Sequence, residues 1–167
     1  MKIEQKKLTD TATLLFFTAP LPVIGTFYYP KDEHPLLQNI SEAGLAETLL
    51  LTADFLYLES KTPADLPDLE MLAIAEIDDY ASSAPTQLTA PNTNTEGKIS
   101  LILKLIIAPF LQKDGGDIKL GNYDKGIVSV RFLGKCNGCP YATKTLKERV
   151  EKNLIRYLPE VKEAVLI

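Results

Sequence analysis

The sequence predicts an α+β protein of two small domains joined by a flexible linker, and three observations carry that prediction. Residues 82–96 contain one large apolar residue, Leu88, among small polar residues and two prolines, so this stretch cannot bury a core of its own. Charge changes sign across it: residues 1–97 hold five lysines against fifteen acids, and residues 98–167 hold thirteen basic residues against seven acids. On both sides the apolar spacing alternates between the two-residue period of strands and the 3.6-residue period of helices. The expected division is 1–81 as one domain, 82–97 as the flexible linker and 98–167 as the second domain. With 46% hydrophobic and 24% charged residues, both units can be packed rather than disordered.

In the first unit, Ala12–Phe17 reads as a strand, and the residues after it as a turn and a second strand. No charge occurs between Asp10 and Lys31, yet Pro20, Pro22 and Gly25 interrupt that stretch far short of the ~20 apolar residues of a membrane span. No membrane association is therefore expected. The lack of a basic lead segment also argues against a signal peptide, and a start without a targeting segment points to a bacterial cytoplasm. His34 to about Ala43 can form a short helix, with His34 on a surface loop. Leu45–Leu51 and Phe55–Ser60 read as strands around a tight turn at Thr52-Ala53-Asp54. Asp65–Tyr80 reads as a helix with Leu66, Leu69, Ile74 and Ile77 on its apolar face.

The second unit is expected to run α-β-β-α-β, with its helices on one face of a small sheet. Its first helix spans about Lys98–Gln112, with Ile99, Ile102, Leu103, Ile106 and Phe110 in one stripe. Leu101, Leu105 and Ile107 extend the apolar surface, either as a wide buried face or as a contact surface. Gly115-Gly116 ends the helix. Asp117–Asn122 and Ile127–Phe132 form a hairpin around Tyr123–Gly126. A loop, Gly134–Cys139, leads to a helix from Pro140 to about Leu158. A last strand, Val161–Leu166, rejoins the hairpin.

Both cysteines of the chain lie in this loop, in Gly134-Lys135-Cys136-Asn137-Gly138-Cys139-Pro140. One C-x-x-C, and no other cysteine, excludes a disulfide-stapled secreted fold and suits a reducing compartment. Two intervening residues allow both sulfurs to reach one metal centre. Pro140 favours a first helical position, which would place Cys139 at the helix N-cap and favour its thiolate. Lys135 adds positive charge. Two thiolates fill half of the coordination sphere of an iron–sulfur cluster or a structural zinc. Two chains, each giving Cys136 and Cys139, would complete four, so the sequence implies a metal-bridged homodimer unless external ligands fill the gap. The same spacing also serves a thiol–disulfide oxidoreductase, a zinc-bridged structural dimer, or cysteines without metal. The hairpin before the pair argues against a thioredoxin-like site, and the lack of a histidine in this half argues against a cysteine hydrolase. Nucleic-acid binding lacks an aromatic platform or a glycine-rich phosphate loop. Asp114 and Asp117 read as turn and cap residues. Tyr141 either shields the centre or packs, and Lys144 and Lys147 either raise the local potential or are solvated.

Leu111-Gln112-Lys113-Asp114-Gly115-Gly116-Asp117, the hairpin, the cysteine loop and Thr145-Leu146-Lys147 together resemble the C-terminal domain of NifU-type (Nfu) proteins. The resemblance implies a non-enzymatic iron–sulfur carrier that holds a [4Fe-4S] cluster between two subunits through Cys136 and Cys139. A [2Fe-2S] cluster or zinc is the alternative content. It further implies a cluster-bridged homodimer when loaded and a monomer when apo, with apo iron–sulfur proteins and upstream cluster assembly proteins as partners. The first unit is similar to the N-terminal Nfu domain through Thr13–Phe17, Gly25-Thr26-Phe27 and Asp54–Leu58, and lacks the usual Asn/Pro-rich opening. Having no cysteine, it is expected to recognise partners rather than to hold a cluster.

Overall fold

Residues 1–167 are described by a computed structural model, and their mixture of helices with several sheets is of the α+β class. The chain divides into two units, Met1–Thr93 and Asn94–Ile167. Each is described by itself.

The first unit contains β1 (Ile3–Lys7), β2 (Ala12–Phe17), β3 (Val23–Ile24), β4 (Phe27–Tyr29), α1 (Pro35–Ser41), β5 (Ala46–Leu51), β6 (Phe55–Ser60), α2 (Leu66–Ser82) and β7 (Leu88–Thr89). Five strands form an antiparallel sheet in the order β1-β2-β6-β5-β4. Thr52 closes the β5–β6 turn, its hydroxyl accepting from the amides of Asp54 and Phe55. Leu15, Leu49 and Leu56 from the sheet pack with Leu37 of α1 and with Leu69 and Ile77 of α2. This fully shielded apolar cluster is what holds the unit together.

Two expectations are corrected here, and one strand was not anticipated. His34 is not on a surface loop: it is 1% exposed, and its Nδ1 accepts from the Leu36 amide at 3.2 Å as the N-cap of α1. An aromatic cage explains the burial, because Phe27 and Tyr80 pack edge-on against the ring. The stretch 82–97 is not flexible throughout. Leu88 and Thr89 pair in parallel with Val23 and Ile24, and the Thr93 hydroxyl donates to Asp32 at 2.6 Å. The one large apolar residue of the stretch, half-buried Leu88, anchors it to the core cluster together with Ala90. Finally, β1 forms from a segment with no apolar alternation. It is an edge strand whose side chains are exposed beyond Ile3, so burial left no pattern in its sequence.

The second unit runs α-β-β-α-β. A helical run over 95–112 comprises α3 (Thr95–Ile102), a π-helical stretch Leu103–Ile107 and α4 (Ala108–Gln112). The hairpin strands are β8 (Gly116–Asp124) and β9 (Ile127–Gly134). A second helical run over 142–157 comprises α5 (Ala142–Thr145), a π-helical stretch Leu146–Glu151 and α6 (Lys152–Tyr157), and β10 (Glu163–Leu166) follows. The sheet order is β10-β9-β8, with β8 antiparallel and β10 parallel to β9. Lys125 and Gly126, at φ 47° and 88°, make the two-residue connection of the hairpin, with the left-handed backbone of a type I′ turn. Val128, Val130 and Phe132 are buried while Arg131 is exposed, so one face of β9 is covered.

The π-helical stretch changes which face of the first helical run is buried. An α-helical phase would bury Ile106 and Phe110. Instead Ile107, Ala108 and Leu111 are buried, and Phe110 is 39% exposed beneath the Arg149 guanidinium, 4.2 Å from its ring centre. One wider turn shifts the phase of every following residue. The broad apolar surface of this helix is therefore mostly a buried face, Leu105 included.

Glu151 ties the second helical run to β10. Its carboxylate accepts from the Ala164 amide at 3.0 Å and from Lys147 Nζ at 2.7 Å, which together hold it below the usual carboxylate range. Lys147 also approaches Glu163 at 3.6 Å, so it is a structural tie. Glu151→Ala leaves the Ala164 amide unpaired beside a buried residue and is expected to cost about 1–3 kcal/mol. Glu151→Gln keeps an acceptor and should cost less. Urea midpoints of the two variants check this, and equal midpoints for all three proteins would show that the tie carries no stability.

Candidate metal centre

The cysteine loop is built from two successive turns. Asn137 donates its amide to the Gly134 carbonyl at 3.1 Å, and Cys139 donates to the Cys136 carbonyl at 3.4 Å. Gly134 and Gly138 take φ 62° and 74° to make those reversals. The loop is pinned to the start of β8. Lys135 donates its amide to the Gly115 carbonyl at 3.3 Å, and a Cβ on Gly134 would run into that same carbonyl oxygen. A Cβ on Gly116 would run into Cys136 Sγ. Gly116 thus holds space for the thiol. Only the first glycine of the pair, Gly115 at φ 80°, serves as the helix stop.

Both cysteines are free thiols, each partly buried, on a loop whose other residues from Gly134 to Pro140 are exposed. They line one cavity of about 30 Å3 with Phe132, Ala142 and Thr145. That is roughly the volume of one water molecule in the liquid. No group of three or more His, Cys, Asp or Glu side chains is arranged to hold a metal ion by itself. What it offers a metal is two soft sulfur donors at an open surface.

The expected helix cap is not formed. Helix α5 begins at Ala142, with Tyr141 at its N-cap and no side-chain cap. Cys139 lies outside it and meets it only through its carbonyl, which accepts from the Ala142 amide at 3.0 Å. Pro140 occupies a turn before the helix rather than its first position. The reason is local: the second turn of the loop closes on Cys139, and a further turn must reverse the chain before it can coil. The electrostatics follow. Burial pushes the Cys136 thiol up, and the neighbouring Cys139, Asp114 and Asp117 push it the same way. A metal binding there would take Cys136 as the thiolate and release its proton.

Asp117 behaves as the turn residue expected, its carboxylate accepting from the Ile118 amide at 2.8 Å. Both aspartates also act on Cys136. Tyr141 does not pack into the domain, being 70% exposed beside Cys139. The contribution of Gly116 was missed, because a second glycine after a helix stop has no turn to serve. That redundancy was the available signal of a close approach.

The second unit is thus a small α-β-β-α-β module with a dithiol loop between its β-hairpin and its second helical run. Residues 99–165 match the family model of the NifU-like domain. "NifU-like protein 4, mitochondrial" of Arabidopsis thaliana is 28% identical over 97% of this chain and 64% of its own length. "NFU1 iron-sulfur cluster scaffold homolog, mitochondrial" of Drosophila sechellia is 30% identical over 94% of this chain and 62% of its own length. The chain belongs to the Nfu-type NifU-like proteins. It spans under two thirds of the length of these relatives.

The expectation of a bacterial cytoplasm is overturned, since these relatives are named as mitochondrial proteins. It rested on the first residues of the chain, and those carry no information when the relatives are longer. No helix is long and apolar enough to cross a membrane.

Proposed function

We propose that this protein carries an iron–sulfur cluster as cargo and hands it to apo iron–sulfur proteins, acting as a scaffold and carrier rather than as an enzyme. The observation that carries this is the incomplete donor set: two thiols facing one shallow cavity, with no further ligand beside them. A cluster needs four protein ligands and is far larger than about 30 Å3. It must therefore sit on the surface, between Cys136 and Cys139 of one chain and the same pair of a second. Four thiolates suit a [4Fe-4S] cluster, and the name of the Drosophila relative, an iron-sulfur cluster scaffold, supports the scaffold role. An exposed cluster held by exchangeable thiolates is easily passed on. Upstream assembly proteins would supply it, and the first unit, which has no cysteine, would recognise partners. The 82–97 stretch would link two domains of separate function.

The raised thiol at Cys136 speaks against the dithiol oxidoreductase, whose attacking cysteine works as a stabilised thiolate. Anaerobic reconstitution with iron and sulfide tests the proposal. The expected result is a brown dimer by native mass, with about four irons per dimer, reverting to monomer when the cluster is removed. A colourless protein that stays monomeric, or a colourless dimer containing zinc, would overturn it.

A further inference from the structure

Beside the cysteine loop, the second unit carries a groove of about 490 Å3. One wall is the first helical run, through Leu103, Lys104 and Gln112, and the other is β8, through Asp117, Lys119 and Leu120. Strand β8 is the outer strand of its sheet, paired only with β9. The Ile118 amide donates to the Asp117 carboxylate instead of to β9. By the alternation of an antiparallel pair, Ile118 and Leu120 turn their backbone groups to the open side. Such an edge takes an added strand, and a groove of this size admits a few extended residues.

Two further features say what lies there. Lys104 and Lys119 bring two exposed ammonium groups, and the one carboxylate of the groove, Asp117, is engaged with the Ile118 amide. The groove also ends at the metal centre, since β8 begins at Gly116, against Cys136 Sγ. We propose that the outer edge of β8 is a docking track for an extended, acidic segment of the protein that receives the cluster. Main-chain pairing at the Ile118 carbonyl and at Leu120 holds the segment, the two lysines select its charge, and its downstream ligand residues come to lie beside Cys136. This rests on the carrier reading above, which gives the track its purpose.

The test uses the apo full-length chain and a fluorescein-labelled octapeptide of alternating valine and glutamate, with an alternating valine–lysine peptide as control. Anisotropy is expected to show binding of the acidic peptide alone, and amide shifts should centre on Ile118 and Leu120. The double variant Lys104→Glu, Lys119→Glu should weaken binding about tenfold or more. The charge-matched variant Lys152→Glu, Lys162→Glu, at exposed positions outside the groove, should not. Equal binding of both peptides, shifts centred elsewhere, or equal losses in the two double variants would overturn the track. Peptide binding needs no cluster. A failed reconstitution with intact binding would therefore remove the carrier reading and leave the docking site, and the reverse pattern would remove the docking site alone.

Discussion

Cys136→Ala is expected to abolish cluster retention: iron after reconstitution and desalting should fall from about two per chain to near zero, with loss of the dimer. The effect is large because the donor set has no reserve. Each chain contributes two thiols, and no third His, Cys, Asp or Glu is arranged with them to hold a metal ion. Removing one per chain leaves a bridged cluster with two of its four ligands. Cys139→Ala should do the same. The more discriminating variant is Gly116→Ala. Gly116 is not a ligand, but any Cβ there runs into Cys136 Sγ, so the thiol must turn away from the cavity it shares with Cys139. Sγ is the free end of a side chain and can turn, while Cys136 Cβ at 3.0 Å and its amide nitrogen at 3.3 Å need only a small shift of the loop, so the fold should survive, with unchanged circular dichroism. Cluster loss to a chelator should be roughly 10–100-fold faster, as when groups that orient a metal ligand are altered. If Gly116→Ala holds its cluster as long as the wild type, Cys136 binds in another rotamer and the apo geometry is not the loaded one.

What the sequence disclosed, and what it hid, follows from how far each feature depends on neighbours in the chain. The hairpin of β8 and β9 was legible because it is local: two alternating runs around a Lys-Gly turn. Strand β2 was predicted over the residues it occupies, since Ala12–Phe17 is an apolar run bounded by polar residues. Strand β1 was not legible, because an exposed edge leaves four of its five residues free to be polar. The stripe of the first helical run was read correctly through Ile99, Ile102 and Leu103 and lost its phase at Ile106 and Phe110, since nothing in Leu103–Ile107 distinguishes a π-helical turn from an α-helical one. At the candidate metal centre, the spacing singled out the pair of thiols. The raised Cys136 thiol was not legible, because burial and the carboxylates that act on it come from the fold, and the start of α5 was misplaced by two residues. His34 is the clearest case of long-range determination. A lone histidine among polar residues reads as surface, and only the fold brings Phe27 and Tyr80 around it.

That burial makes His34 the source of an acid-sensitive stability in the first unit. Desolvation lowers its pKa from 6.5 to about 4. The capping bond acts in the same sense: Nδ1 accepts from the Leu36 amide, so the ring hydrogen sits on Nε2, facing the Tyr80 hydroxyl at 3.4 Å. A second proton would have to enter on Nδ1, against the amide hydrogen it now binds. Between pH 6.5 and about 4 the unfolded chain therefore binds a proton that the folded chain refuses. The stability that this group contributes is fully present above pH 6.5. It is lost as pH falls towards the folded value and is flat below it, a total of up to about 3 kcal/mol. His34→Asn separates this from the general titration of the acidic first unit, because asparagine also caps helices and does not titrate. The variant should be less stable at neutral pH, having lost the ring between Phe27 and Tyr80. Its stability should nevertheless change less than that of the wild type between pH 7.5 and pH 4.5. Urea unfolding of both proteins at those two pH values measures the difference, and the carboxylates common to both cancel in it. Parallel losses in the two proteins would mean that His34 takes up its proton in the folded state, and that the cage around it opens to water.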